Sequence, residues 1–181
     1  MAKVKFGIIG CGAIAANSFA PSLLASEEAE LVAVCRRDRE KAQAFAKEFG
    51  GCAHYGTAEE LLDDENVEAV VVATPTDSHC EYVLLAAERG RSVLCEKPMA
   101  RDAAECRRMI EACRDAGVKL GVAYRRRLFP QVLKAKELVA EGRIGRVVCV
   151  RTHYSGWTSV GPDEWRVDPG IGGATVSYTH L

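Results

Sequence analysis

Val4-Lys5-Phe6-Gly7-Ile8-Ile9-Gly10-Cys11-Gly12-Ala13-Ile14-Ala15 is the stretch from which the rest of the chain can be read. Its first half, Lys3 to Ile9, is short, rich in β-branched and aromatic residues, and close to the N-terminus, the pattern of a first central strand in a parallel sheet. Its second half fits G-x-G-x-x-G/A. In that pattern the first glycine makes a tight turn, the second lets the backbone approach a pyrophosphate, and the third small residue allows a helix to pack closely on the strand. The free N–H groups and the positive dipole end of that helix then hold phosphate. A glycine turn with no ligand is the alternative, and context decides between them.

Downstream, strands and helices alternate. Pro21 breaks the first helix, which runs from Ala16 to Ala20, or starts a second short turn. Leu31 to Cys35 is a strand. Asp38 caps a helix whose stripe is Ala42, Phe45, Ala46 and Phe49, closed by Gly50-Gly51. A short strand at Ala53 to Tyr55 and a helix at Thr57 to Leu62 precede Val67 to Ala73, apolar enough after Glu68 for a strand buried on both faces. His79 to Arg89 is a helix, Ser92 to Cys95 a strand, and Asp102 with Glu105 opens a helix in the manner of a capping box, stopped by Gly117. Lys119 to Ala123 is the sixth strand. This alternation predicts an α/β fold, a doubly wound parallel sheet in the order 3-2-1-4-5-6. After Tyr124 the rhythm changes: Arg125-Arg126-Arg127 is a charge run, a helix carries Val132 to Val139, and Arg146 to Tyr154 alternates as a strand. Residues 1–123 are therefore expected to form one domain, and 124–181 the start of an incomplete α/β second domain, too short for an independent core.

The bulk properties narrow the partners. The chain has 181 residues, 24 basic and 25 acidic, with a net charge of -1. That near balance argues against a surface built for nucleic acid or anionic membrane and favours small molecules. No apolar run approaches the ~20 residues of a membrane span, and no signal segment precedes the first strand, so a cytoplasmic protein is expected. The eight cysteines are scattered, without C-x-x-C or Cys/His spacing. They read as small buried hydrophobes in a reducing compartment, with no metal site.

Two further runs carry a resemblance. Ala73-Thr74-Pro75-Thr76-Asp77-Ser78-His79, followed by Gly90-Arg91-Ser92-Val93-Leu94-Cys95-Glu96-Lys97-Pro98, is similar to the Gfo/Idh/MocA oxidoreductases, as are the glycine turn, Arg127-Leu128-Phe129-Pro130 and Gly142-Arg143-Ile144-Gly145. The resemblance implies a Rossmann sheet and hydride transfer between NADP(H) or NAD(H) and a carbinol or carbonyl carbon of a sugar, cyclitol or related diol. It also implies a homo-oligomer for a full-length version. Thr74, Pro75, Glu96 and Lys97 follow the fourth and fifth strands, at the edge where doubly wound sheets bind ligands. Gly10, Gly12, Ala13 and Ile14 would hold the pyrophosphate. Lys97, at a strand end in a cleft, suits proton exchange with a substrate hydroxyl. Glu96 resembles the family residue near the nicotinamide ribose, and a cap or ion-pair role accounts for it nearly as well. His79 either borders the cofactor or is a packed, hydrogen-bonded histidine. Arg127 either meets an anionic or polyhydroxylated ligand or belongs to a solvated run.

After the second strand, an acidic residue would select NAD, whereas arginine can hold a 2′-phosphate. Arg36 occupies that slot, with Arg37 beside it, and Asp38 reads as the helix cap; NADP is therefore the expected cofactor, with NAD possible. A non-catalytic dinucleotide-binding sensor is the rival function, and Lys97 argues against it. The family pattern fades after Gly172-Gly173-Ala174. Its aspartate and histidine slots hold Ser177 and Leu181, with His180 one position out of register, and Val176 to Leu181 resembles a translated sequencing adapter. A truncated chain with little turnover is the expectation.

Overall fold

A computed structural model describes residues 2–153, 168 and 171. Six strands, β1 (Val4–Ile9), β2 (Ala29–Cys35), β3 (Ala53–Tyr55), β4 (Ala69–Val72), β5 (Ser92–Cys95) and β6 (Leu120–Val122), form one sheet in the order β3-β2-β1-β4-β5-β6. Every pairing is parallel. The helices between them are α1 (Ala20–Ala25), α2 (Arg39–Glu48), α3 (Ala58–Leu62), α4 (His79–Glu88) and α5 (Ala103–Asp115), and α6 (Pro130–Ala140) follows β6. This is the doubly wound Rossmann arrangement that the alternation predicts.

Side chains alternate across a strand, so β1 and β4 feed two cores. Ile9, Val70 and Val72 join Leu61, Leu62, Val83, Met109 and Cys113 beneath α3, α4 and α5. Ile8 and Val71 join Ala15, Ala20, Phe45 and Ala46 on the opposite face, beneath α1 and α2. All four residues of β4 are buried, as befits a central strand covered on both sides.

Local chemistry sets the helix starts. The Asp38 carboxylate accepts the Lys41 N–H at 3.1 Å, and Thr57 with Glu60 forms a reciprocal capping box at α3. Asp102 accepts the Ala104 and Glu105 N–H groups, but the Glu105 carboxylate reaches back to the Arg101 N–H, one residue before the cap, because it also pairs with the Arg101 guanidinium. Pro21 does not end the first helix. A π-helical turn, Ala15–Phe19, runs directly into α1 with Pro21 in its first turn. A proline ring clashes with the carbonyl four residues back in a regular helix, and one widened turn ahead of it lets the chain continue.

The expected strand from Arg146 to Tyr154 does not form across the described residues 146–153; Tyr154 lies outside them. A strand needs a neighbour to satisfy its N–H and C=O groups, and Val148 and Val150 stand 81% and 75% exposed with no ladder beside them among the described residues. Ser177, His180 and Leu181 also lie outside the described residues.

Candidate functional site

The sheet register aligns the candidate site. Ile9 is level with Cys35 on one side and Val72 on the other, Val72 is level with Cys95, and Cys95 with Val122. The ladder extends one residue beyond this row: Gly10 N–H donates to the Cys35 carbonyl, Ala73 to Ile9, Glu96 to Val72 and Ala123 to Cys95. Five loops thus leave from one line along the carboxyl edge. With neighbouring strands ~4.8 Å apart, three spacings separate Arg36 from Glu96, about 14 Å. An elongated ligand could touch the glycine turn at the middle and both flanks.

At the middle, Gly10 has φ +100°. A Cβ there would sit 2.9 Å from the Ala73 carbonyl carbon and oxygen and from Thr74 Cγ2. A Cβ on Gly12 would meet nothing within 4 Å. The turn is therefore closed against the protein at Gly10 and open outward at Gly12, where Ala13 is exposed and Ile14 half-buried. The helix starts here, with the Ala16 N–H donating to the Gly12 carbonyl at 3.0 Å. A backbone without Cβ, facing outward at a helix start, fits a pyrophosphate.

On one flank, Arg36 is half-buried and its Nη1 donates to the Cys11 carbonyl at 3.0 Å, tying the end of β2 to the glycine turn. Arg37 is exposed beside it. Asp38 is engaged away from this edge by the Lys41 ammonium, 2.8 Å away, which with the Lys41 N–H holds its carboxyl below the usual range. Cys11 and Cys35 are free thiols, and burial pushes them up to about 11 and about 12.

On the other flank, Thr74, Pro75, Glu96 and Lys97 are all half-buried. The Ser78 hydroxyl lies 2.8 Å from both Thr74 Oγ1 and the Pro75 carbonyl. Glu96 turns back, its Oε2 accepting the Lys97 N–H at 2.7 Å. His79 is 1% exposed, with Nδ1 2.9 Å from the Pro98 carbonyl and Nε2 2.9 Å from the Thr74 carbonyl. The ring is thus packed and hydrogen-bonded between the two loops. Arg127 is exposed, whereas Arg125 donates to the Ser18 hydroxyl at 2.9 Å and ties the chain after β6 to the π-turn behind the glycine loop. Sequence reasoning missed Ser78, whose partners lie three and four residues back in the same run, and Arg125, whose partner Ser18 becomes a neighbour only when the fold assembles.

Residues 4–124 match the model of the oxidoreductase family with an NAD-binding Rossmann fold, GFO_IDH_MocA, and residues 132–179 match the GFO/IDH/MocA C-terminal domain. The chain belongs to the Gfo/Idh/MocA family. Among family relatives, D-xylose 1-dehydrogenase (NADP(+)) 2 of Haloferax volcanii is 40% identical over 173 residues, 96% of this chain and 53% of that protein. Trans-1,2-dihydrobenzene-1,2-diol dehydrogenase of Mus musculus is 40% identical over 153 residues, 83% of this chain and 46% of that protein. The WlbA dehydrogenase of Bordetella pertussis, solved with NADH and UDP-GlcNAcA, superposes with a TM-score of 0.74 at 34% identity over 80% of this chain and 44% of its own. The chain thus spans about half the length of such Gfo/Idh/MocA proteins. Among its described residues, no helix is long and apolar enough to cross a membrane.

Proposed function

We propose that this chain carries the dinucleotide-binding part of an oxidoreductase that uses NADP(H) in preference to NAD(H) and acts on a carbinol or carbonyl of a sugar, cyclitol or related diol. The observation that carries the cofactor reading is Arg36. It stands at the first position after β2, bonded to the glycine turn, where an NAD-selective fold places a carboxylate. Its remaining guanidinium donors, with the exposed Arg37, suit a 2′-phosphate through charge-assisted bonds. Asp38 is committed to capping α2 and does not compete for that place. The names of the xylose and dihydrodiol dehydrogenases support the substrate class.

When bound, the dinucleotide supplies the hydride donor or acceptor at nicotinamide C4. The chain supplies the rest. Gly10 and Gly12 shape the pyrophosphate turn, and Ala13 and Ile14 contribute the start of the helix above it. Thr74 and Pro75 border the nicotinamide side. Glu96 holds the backbone of Lys97, and Lys97 exchanges a proton with the substrate oxygen as that oxygen gains or loses charge. Residues 1–123 are the cofactor domain in this scheme, and the segment after Tyr124 begins the part that holds substrate.

The test is Lys97→Met in a version that carries a complete second domain. Turnover should fall ~100-fold or more, the scale of general acid–base catalysis, while NADPH affinity stays within about twofold. Unchanged turnover would remove Lys97 from the chemistry.

A further inference from the structure

His79 is the first residue of α4 and fully buried, yet it carries two polar nitrogens. Both nitrogens are aimed at backbone carbonyls that belong to different loops. Thr74 lies in the loop after β4, and Pro98 in the loop after β5, directly behind Glu96 and Lys97. β4 and β5 end level with one another, and the Glu96 N–H to Val72 carbonyl bond carries their ladder one residue past the strands. Beyond that bond, the imidazole bridges the two loops.

Both of its partners are acceptors. An imidazole carries an N–H on one nitrogen or the other according to tautomer, so it donates to one of the two carbonyls while the ring fills the space against the other loop. Its own position is set by α4, which packs on α5 and on the sheet through Val83, Ala86 and Ala87. The ring is thus a cross-brace fixed to a helix.

We propose that His79 is a positioning residue. It sets the spacing of the Thr74 loop against the Glu96-Lys97-Pro98 loop, and with it the slot for the nicotinamide half of the dinucleotide, without touching the cofactor itself. This rests on the dinucleotide reading above. It predicts an effect confined to one half of the ligand, because the adenosine half lies two to three strand spacings away, at Arg36.

The experiment titrates the wild-type chain and the His79→Asn, His79→Gln and His79→Leu variants with two ligands: NADPH, and adenosine 2′,5′-bisphosphate, which lacks the nicotinamide half. An asparagine amide can replace the donor at Nδ1 and keep the tie to Pro98, and a glutamine amide can replace Nε2 and keep the tie to Thr74. His79→Leu should weaken NADPH roughly tenfold, and the two amide variants by less, the scale of losing one buried hydrogen bond. Adenosine 2′,5′-bisphosphate affinity should stay within about twofold in every variant that folds. If the leucine variant does not fold, the amide variants still report the ratio of the two affinities. Equal weakening of both ligands marks a general loss of structure and overturns the proposal, as does unchanged NADPH binding in the variants. A wild-type chain that binds neither ligand overturns the dinucleotide reading itself.

Discussion

Gly10 and Gly12 stand two residues apart, and alanine at each should fail in a different way. At Gly10 the backbone lies at φ +100°, a conformation costing an L-residue about 1–2 kcal/mol. The new Cβ would also lie 2.9 Å from the Ala73 carbonyl group and Thr74 Cγ2, inside any ordinary contact distance, and that neighbour is backbone held in the β1–β4 ladder. Overpacking against a fixed wall adds about 1–3 kcal/mol, so Gly10→Ala should cost about 2–5 kcal/mol of folding stability. Gly12 is not in the positive-φ region, and its Cβ would project into open space. Gly12→Ala should leave stability unchanged or raise it by up to about 1 kcal/mol through the unfolded chain, while placing a methyl group where the phosphates approach. Urea unfolding followed by circular dichroism measures the first quantity, and NADPH fluorescence titration the second. A Gly10→Ala protein as stable as wild type, or a Gly12→Ala protein that binds NADPH normally, would refute this account of the turn.

Two further outcomes follow from the environments of titratable groups. Burial pushes the Cys11, Cys35 and Cys95 thiols up to about 11, 12 and 12, while Cys149 is exposed; at pH 8 a thiol reagent should modify Cys149 first and those three only on unfolding, and rapid native labelling of any of the three would contradict their placement. Asp102 is held below the usual carboxylate range by the Glu105 and Ala104 N–H groups, Glu60 by the Gly56 N–H, and Glu105 by the Arg101 guanidinium. Because their folded-state values are depressed, the stability they lend is fully present above the unfolded values of ~4 and is lost as pH falls through the folded ones. Unfolding free energy should decline below about pH 4, and Asp102→Asn, which can still cap α5, should make that decline shallower; an identical pH slope in the variant would rule out the Asp102 contribution.

Signals confined to a few residues were legible. Asp38 and Asp102 cap their helices through N–H groups up to three residues on, and the all-apolar run of β4 announces a strand covered on both faces. Strand and helix alternation then determines the sheet order, because parallel crossovers leave few alternatives. The residues that defeated sequence reading depend on neighbours that only the assembled sheet supplies. His79 follows Thr76-Asp77-Ser78, with no local clue that its ring spans two loops belonging to adjacent strands. In the charge run, Arg125 reaches Ser18, 107 residues away. Of the two readings of Pro21, a helix break or the start of a second short turn, the second is nearer, with Pro21 in the first turn of α1 behind one widened turn. The alternation of residues 146–153 is a strand pattern without a strand, since periodicity describes a face and the ladder must come from elsewhere.

The central claim is that Arg36 and Arg37, at the end of β2, make this edge a site for a dinucleotide bearing a 2′-phosphate. Titrating the purified chain with NADPH and with NADH, alongside Arg36→Asp, tests it most directly. The account predicts tighter binding of NADPH by the wild-type chain, roughly tenfold or more for one charge-assisted contact, and a shift toward NADH in the variant. Equal or tighter binding of NADH by the wild-type chain would contradict it.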